Sequence, residues 1–172
     1  MVLPFIILGV LLLVCLYTDL KRSIIPNVLS LGGLVFGMAY YAVMERWSGL
    51  LFSFGGAMVG FLVMLALYVF GALGAGDVKL FAAIGALMGI EFVLYTAMYS
   101  IVFAGFFGFF YLLLRGDGLI RIKHAGTMLI SILTLKQWKQ LYSPSSQHLT
   151  FPFMIAVVPG VLTSFYYFEF LF

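Results

Sequence analysis

Charge is scarce in this chain. Of its 172 residues, 9% are Asp, Glu, Lys or Arg and 65% are hydrophobic. Mean hydropathy is +1.20. A soluble domain of this size cannot close its surface with so few polar side chains, so the composition belongs to the membrane class. Cysteine is almost missing. The sole one, Cys15, lies in the first apolar run, which excludes an intramolecular disulfide and a cysteine-based zinc site. A small apolar filler is its plain reading. The two histidines, His124 and His148, have no acidic or cysteine neighbours at ligand spacing, so no metal and no other cofactor is expected. A Gly-x-Ser-x-Gly element is lacking too, and a serine-type triad finds no support. The N-terminus has no basic start of the kind a cleavable signal needs. The net charge of +3 does not call for a nucleic-acid partner, because the bases can all answer to membrane topology.

What the chain has in abundance is long apolar runs. A spanning helix needs about 20 mostly apolar residues. The spacing predicts an all-α polytopic membrane protein, a single domain over 1–172, with six spans: Val2 to Thr18, Val28 to Met44, Leu50 to Gly71, Val78 to Ile90, Phe92 to Leu114 and Phe151 to Phe172. Threaded this way, Lys21, Arg22, Lys79, Arg115, Arg121, Lys123, Lys136 and Lys139 fall on one side and Arg46 alone on the other. The positive-inside rule puts the first set in the cytoplasm and both termini outside a cell (plasma or inner) membrane. Arg115 to Thr150 is the longest loop. Its apolar residues Ile122, Ala125, Met128, Leu129, Ile132 and Leu133 recur at helical spacing, which suits a helix lying in the cytoplasmic interface between spans five and six. A core-packed helix or a re-entrant piece stays open there.

Six acidic residues occur, and two of them, Asp19 and Asp77, stand where apolar spans meet short polar turns on the cytoplasmic side. An ionisable group at that depth is costly and is a functional-site hypothesis by default. Each has a plainer reading. Asp77 follows Gly74-Ala75-Gly76, where a carboxylate can cap the N–H groups of a helix. Asp19, beside Lys21-Arg22, can mark the membrane boundary or pair with those bases. Pro26-Asn27 then breaks the chain, with Asn27 suited to cap the next helix. Lys79 is suited either to balancing charge at Asp77 or to snorkelling toward lipid phosphate.

The combination is more specific than its parts. Asp19, then Pro26-Asn27, then Gly74-x-Gly76-Asp77-x-Lys79 resembles the type IV prepilin peptidases and the related archaeal preflagellin peptidases, membrane aspartic proteases with a Gly-x-Gly-Asp motif also found in presenilin. Phe151-Pro152-Phe153, at the start of the last span, is similar to that family's Pro-Phe element there. The resemblance implies that Asp19 and Asp77 are catalytic, with Gly74, Gly76, Lys79, Pro26 and Asn27 supporting them. It implies a prepilin or pilin-like precursor as substrate, cleaved at the cytoplasmic membrane face, and pilus or secretion assembly machinery as a partner besides the lipid bilayer. Many bacterial members add a cytoplasmic domain with two Cys-x-x-Cys pairs that is associated with N-methylation. This chain joins spans one and two by about nine residues without cysteine and resembles the short peptidase-only branch serving Tad-type (Flp) pili, so no N-methyltransferase activity is expected.

Charge supplies the mechanism. Two carboxylates brought together share one proton near neutral pH, and one then serves as base while the other serves as acid. Two other readings stay open. Paired intramembrane carboxylates also relay ions, as in an ion- or proton-coupled transporter, and a non-catalytic secretion-system scaffold would use neither group.

Overall fold

A computed structural model of the chain describes residues 2–22, 25–71, 73–114 and 153–171. They form four α-helices: α1 (Val2–Arg22), α2 (Asn27–Val69), α3 (Ala75–Leu114) and α4 (Met154–Leu171). Helices α1, α2 and α3 are long and apolar enough to cross a membrane, and Met154–Phe168 is a shorter apolar helix. A chain this apolar has little choice, since in hydrocarbon each backbone N–H and C=O must be paired within its own segment. Met1–Ala104 and Pro152–Phe172 make one compact unit, and Gly105–Phe151 another. The expected interfacial helix within Arg115 to Thr150 lies outside the described residues, as do His124 and His148.

Two helix starts differ from expectation, and so does one end. Helix α1 continues past Thr18 to Arg22, so Asp19 stands within its last turn rather than in a polar turn. Lys21 and Arg22 close that turn, where cations meet the negative end of the dipole. The Lys21 Nζ donates to the Tyr17 hydroxyl at 3.5 Å and lies 5.6 Å from that ring's centroid. Pro26, not Asn27, takes the N-cap place of α2, with φ −63° and ψ 126°. The proline ring fixes that φ, and the Pro26 carbonyl accepts from the N–H groups of Leu29 at 3.1 Å and Ser30 at 3.4 Å. Helix α3 begins at Ala75 rather than Val78, so Gly74 precedes it and Asp77 sits inside its first turn.

Both long helices fold back on themselves. At Arg46, φ is 54° and ψ −124°. A Cβ on Gly49 would meet the carbonyl of Tyr41 and, at 2.7 Å, the Cβ of Glu45. A straight helix would set Tyr41 and Gly49 about 12 Å apart. At Gly89, φ is 85°, and the Phe52 ring occupies the space a Cβ would need. A Cβ on Gly60 would touch both the Phe81 carbonyl and Val93 Cγ2, two residues that a straight helix would hold about 18 Å apart. The break strips the Ala86 and Leu87 carbonyls of their helical donors. Side chains of α2 replace them: Ser53 Oγ donates to the Ala86 carbonyl at 2.8 Å and the Tyr41 hydroxyl to the Leu87 carbonyl at 3.1 Å.

The core forms where backbones meet. Gly56 and Gly85 face each other so closely that a Cβ on either would meet the other's carbonyl, a small-residue contact of the kind that holds helices together when lipid removes the hydrophobic drive. At Gly33 three helices converge, with Leu11 of α1 against it and the Ala83 Cβ of α3 3.3 Å from where its Cβ would stand. Around these contacts Leu8, Leu11, Cys15, Met64, Phe81, Ile84, Phe92 and Val157 are buried, and Cys15 has no exposed surface.

Candidate functional site

The junction at Gly33 sets the depth of the site. From Leu11, Asp19 is eight residues further along α1, and from Ala83, Asp77 is six residues back along α3. At 1.5 Å per residue these are about 12 Å and 9 Å, so both aspartates come to the same end of the bundle. Each is 7% exposed.

Asp77 is held by its own turn. Its N–H donates to the Gly74 carbonyl at 3.1 Å, and its Oδ2 accepts from the Gly74 N–H at 3.0 Å. This is one half of a capping box, in which the side chain of the third helical residue reaches back to the N–H of the residue before the helix; Gly74 has no side chain to complete the other half. Gly76 lies against the preceding segment: a Cβ there would stand 3.1 Å from the Ile25 Cβ. Lys79 Nζ donates to Asn27 Oδ1 at 2.8 Å. The turn before α2 is therefore laid along the start of α3, with Lys79 bonded to Asn27 across that contact.

Asp19 is held from a distance. Its Oδ2 accepts from the backbone N–H of Met154 at 3.1 Å. The Phe153 carbonyl takes the N–H groups of Ala156 at 2.9 Å and Val157 at 3.2 Å, which makes Phe153 the cap of α4 and leaves Met154 with one of the orphan donors of a helix start. The Asp19 carboxylate supplies its acceptor. The charge of Asp19 is felt at Asp77. Among the described residues no three of His, Cys, Asp or Glu gather as a metal-ligand set.

Comparison with known proteins gives the arrangement a family. The pattern of the type IV leader peptidase family matches residues 6–109, a stretch that contains both aspartates and the glycine motif. The chain belongs to the type IV leader peptidase family. Over 108 residues it is 30% identical to the prepilin leader peptidase/N-methyltransferase of Bacillus subtilis (strain 168), a match covering 61% of this chain and 43% of that protein. The chain thus spans less than half the length of that relative. No solved structure matches.

All seven site residues expected from this chain's own sequence gather at one end: Asp19, Pro26 and Asn27 on one side, Gly74, Gly76, Asp77 and Lys79 on the other. Sequence reasoning missed Met154. A backbone donor carries no residue-type signature, and the nearest signal was Phe151-Pro152-Phe153 just before it, whose first two residues lie outside the described ones.

Proposed function

We propose that this protein is a membrane aspartic endopeptidase that removes the basic leader of prepilin or pilin-like precursors at the cytoplasmic face of the cell membrane. The observation that carries the reading is the convergence of two buried aspartates on one end of the bundle, each anchored by a backbone N–H. The folding back of α2 and α3 supports six membrane crossings with both termini outside.

The chemistry follows from sharing one proton. The ionised carboxylate takes a proton from a water, and the water oxygen bonds to the scissile carbonyl carbon. The protonated carboxylate donates to the carbonyl oxygen as its charge grows. Collapse of the tetrahedral species reforms the C=O, breaks the C–N bond and sends a proton to the leaving amine. Gly76 lets the Ile25 segment lie close to the catalytic turn, and the Lys79–Asn27 bond ties that segment to α3. The chain is read as peptidase-only: Cys15 is its one cysteine, whereas the methylating members carry two Cys-x-x-Cys pairs. Pilus or secretion assembly machinery is the proposed partner that receives the processed pilin.

The test is leader processing in cells. The chain is co-expressed with candidate pilin precursors from the same genome, and the mobility shift is followed for wild type, Asp19→Ala and Asp77→Ala at equal membrane levels. Loss of cleavage in each variant is expected. Cleavage surviving either substitution breaks the mechanism, and proton flux without cleavage moves the site to a transporter.

A further inference from the structure

The first turn of α4 touches both of the helices that carry aspartates. Its Met154 N–H donates to Asp19 Oδ2 at 3.1 Å, between two buried residues. One residue earlier, the Phe153 ring centroid lies 6.5 Å from that of Phe81. Phe81 is four residues past Asp77 on α3, about one helical turn. The turn is closed by its own hydrogen bonds to the Phe153 carbonyl, so its position is set by packing on α1 and α3 together.

We infer that the Met154 backbone amide is a positioning group for the reaction, and that the first turn of α4 is the bracket that sets the Asp19 carboxylate against the helix carrying Asp77. The inference rests on the two-aspartate reading above. A carboxylate held only by α1 keeps the rotamer freedom of its two side-chain torsions. Binding Oδ2 to a buried amide removes that freedom and leaves Oδ1 for the water or the peptide. A hydrogen bond from an amide to an ionised carboxylate is stronger than one between neutral groups, and an error of about 1 Å in the placement of a catalytic group is enough to slow a reaction about 100-fold. Asp77 is placed by Gly74, three residues away on its own turn, but Asp19 has its donor 135 residues away in sequence. Its placement therefore depends on how α4 docks.

Proline tests this cleanly. It suits the first position of a helix, where its missing N–H is not needed by the helix itself. Met154→Pro therefore removes the donor and keeps α4, while Met154→Leu keeps the donor and changes only the side chain. The full chain is reconstituted in lipid vesicles with a pilin precursor, and kcat and KM are measured for both variants beside Asp19→Ala. The expected result is a fall in kcat of about 10- to 100-fold for Met154→Pro, with KM near wild type and Met154→Leu close to wild type in both. Equal losses in the proline and leucine variants would reduce the effect to side-chain packing and overturn the inference, as would a wild-type kcat in Met154→Pro. If that variant does not accumulate, an ester linkage in place of the peptide bond between 153 and 154 deletes the same N–H with methionine retained. An unchanged kcat there overturns the inference equally. Cleavage that survives Asp19→Ala marks the failure of the two-aspartate reading instead.

Discussion

Asp77 does two jobs that substitution can separate. It is an ionisable group in the site, and it is the acceptor that closes the first turn of α3 through the Gly74 N–H at 3.0 Å. Asparagine keeps the second job, because its side-chain carbonyl can take the same hydrogen bond. Alanine loses both. Deleting a capping acceptor costs about 0.5–2 kcal/mol. Removing a general acid or base slows a reaction by about 100- to 10,000-fold, or about 2.7–5.4 kcal/mol of barrier at 1.36 kcal/mol per tenfold. Asp77→Asn should therefore melt close to wild type in detergent micelles and cleave next to nothing, whereas Asp77→Ala melts earlier and is equally inactive. Thermal unfolding followed by tryptophan fluorescence, run beside leader cleavage on the same samples, reads both quantities. If Asp77→Asn cleaves at more than a tenth of the wild-type rate, the aspartate is a cap and not a catalyst. Should the two variants melt alike, the capping half of the reasoning fails instead.

Two further outcomes follow from the helix breaks and the seam. Arg46 holds a positive φ without being glycine, a conformation that costs about 1–3 kcal/mol; Arg46→Gly is expected to raise the melting temperature, and a drop would mean that the arginine side chain makes contacts worth more than the strain. Gly85→Ala drives a methyl into the Gly56 carbonyl; overpacking of this kind costs about 1–3 kcal/mol, so a lower melting temperature with reduced membrane accumulation is expected, and wild-type stability would show that the two backbones separate at no cost.

The helical class and the aspartate pair were legible because they rest on features the sequence displays directly. Apolar runs of spanning length demand helices in lipid, and the split of the bases puts Asp19 and Asp77 on one side. That Pro26, Asn27, Gly74, Gly76 and Lys79 lie together was legible through their pattern rather than their chemistry: nothing in the composition says that Lys79 would choose Asn27. Three things were hidden. Helix α1 outruns its apolar stretch because Asp19 finds a donor in α4, a tertiary partner that no local rule anticipates. Asn27 looked like a cap, yet Pro26 already has the extended geometry the cap needs, which frees the asparagine side chain for Lys79. The start of α3 moved to Ala75 because Asp77 reaches back to Gly74 rather than forward, so the glycine became the cap and the aspartate the third helical residue.

The burial of Cys15 makes the chain a ready host for site-directed labelling. With its one native thiol fully enclosed in the core, a membrane-impermeant maleimide meets no background in the folded protein. A cysteine placed at exposed Trp47 and another at exposed Val28 would then report from opposite ends of the first half of α2. Reagent added to sealed cells and to inverted vesicles would read the orientation of the site across the bilayer without disturbing either aspartate.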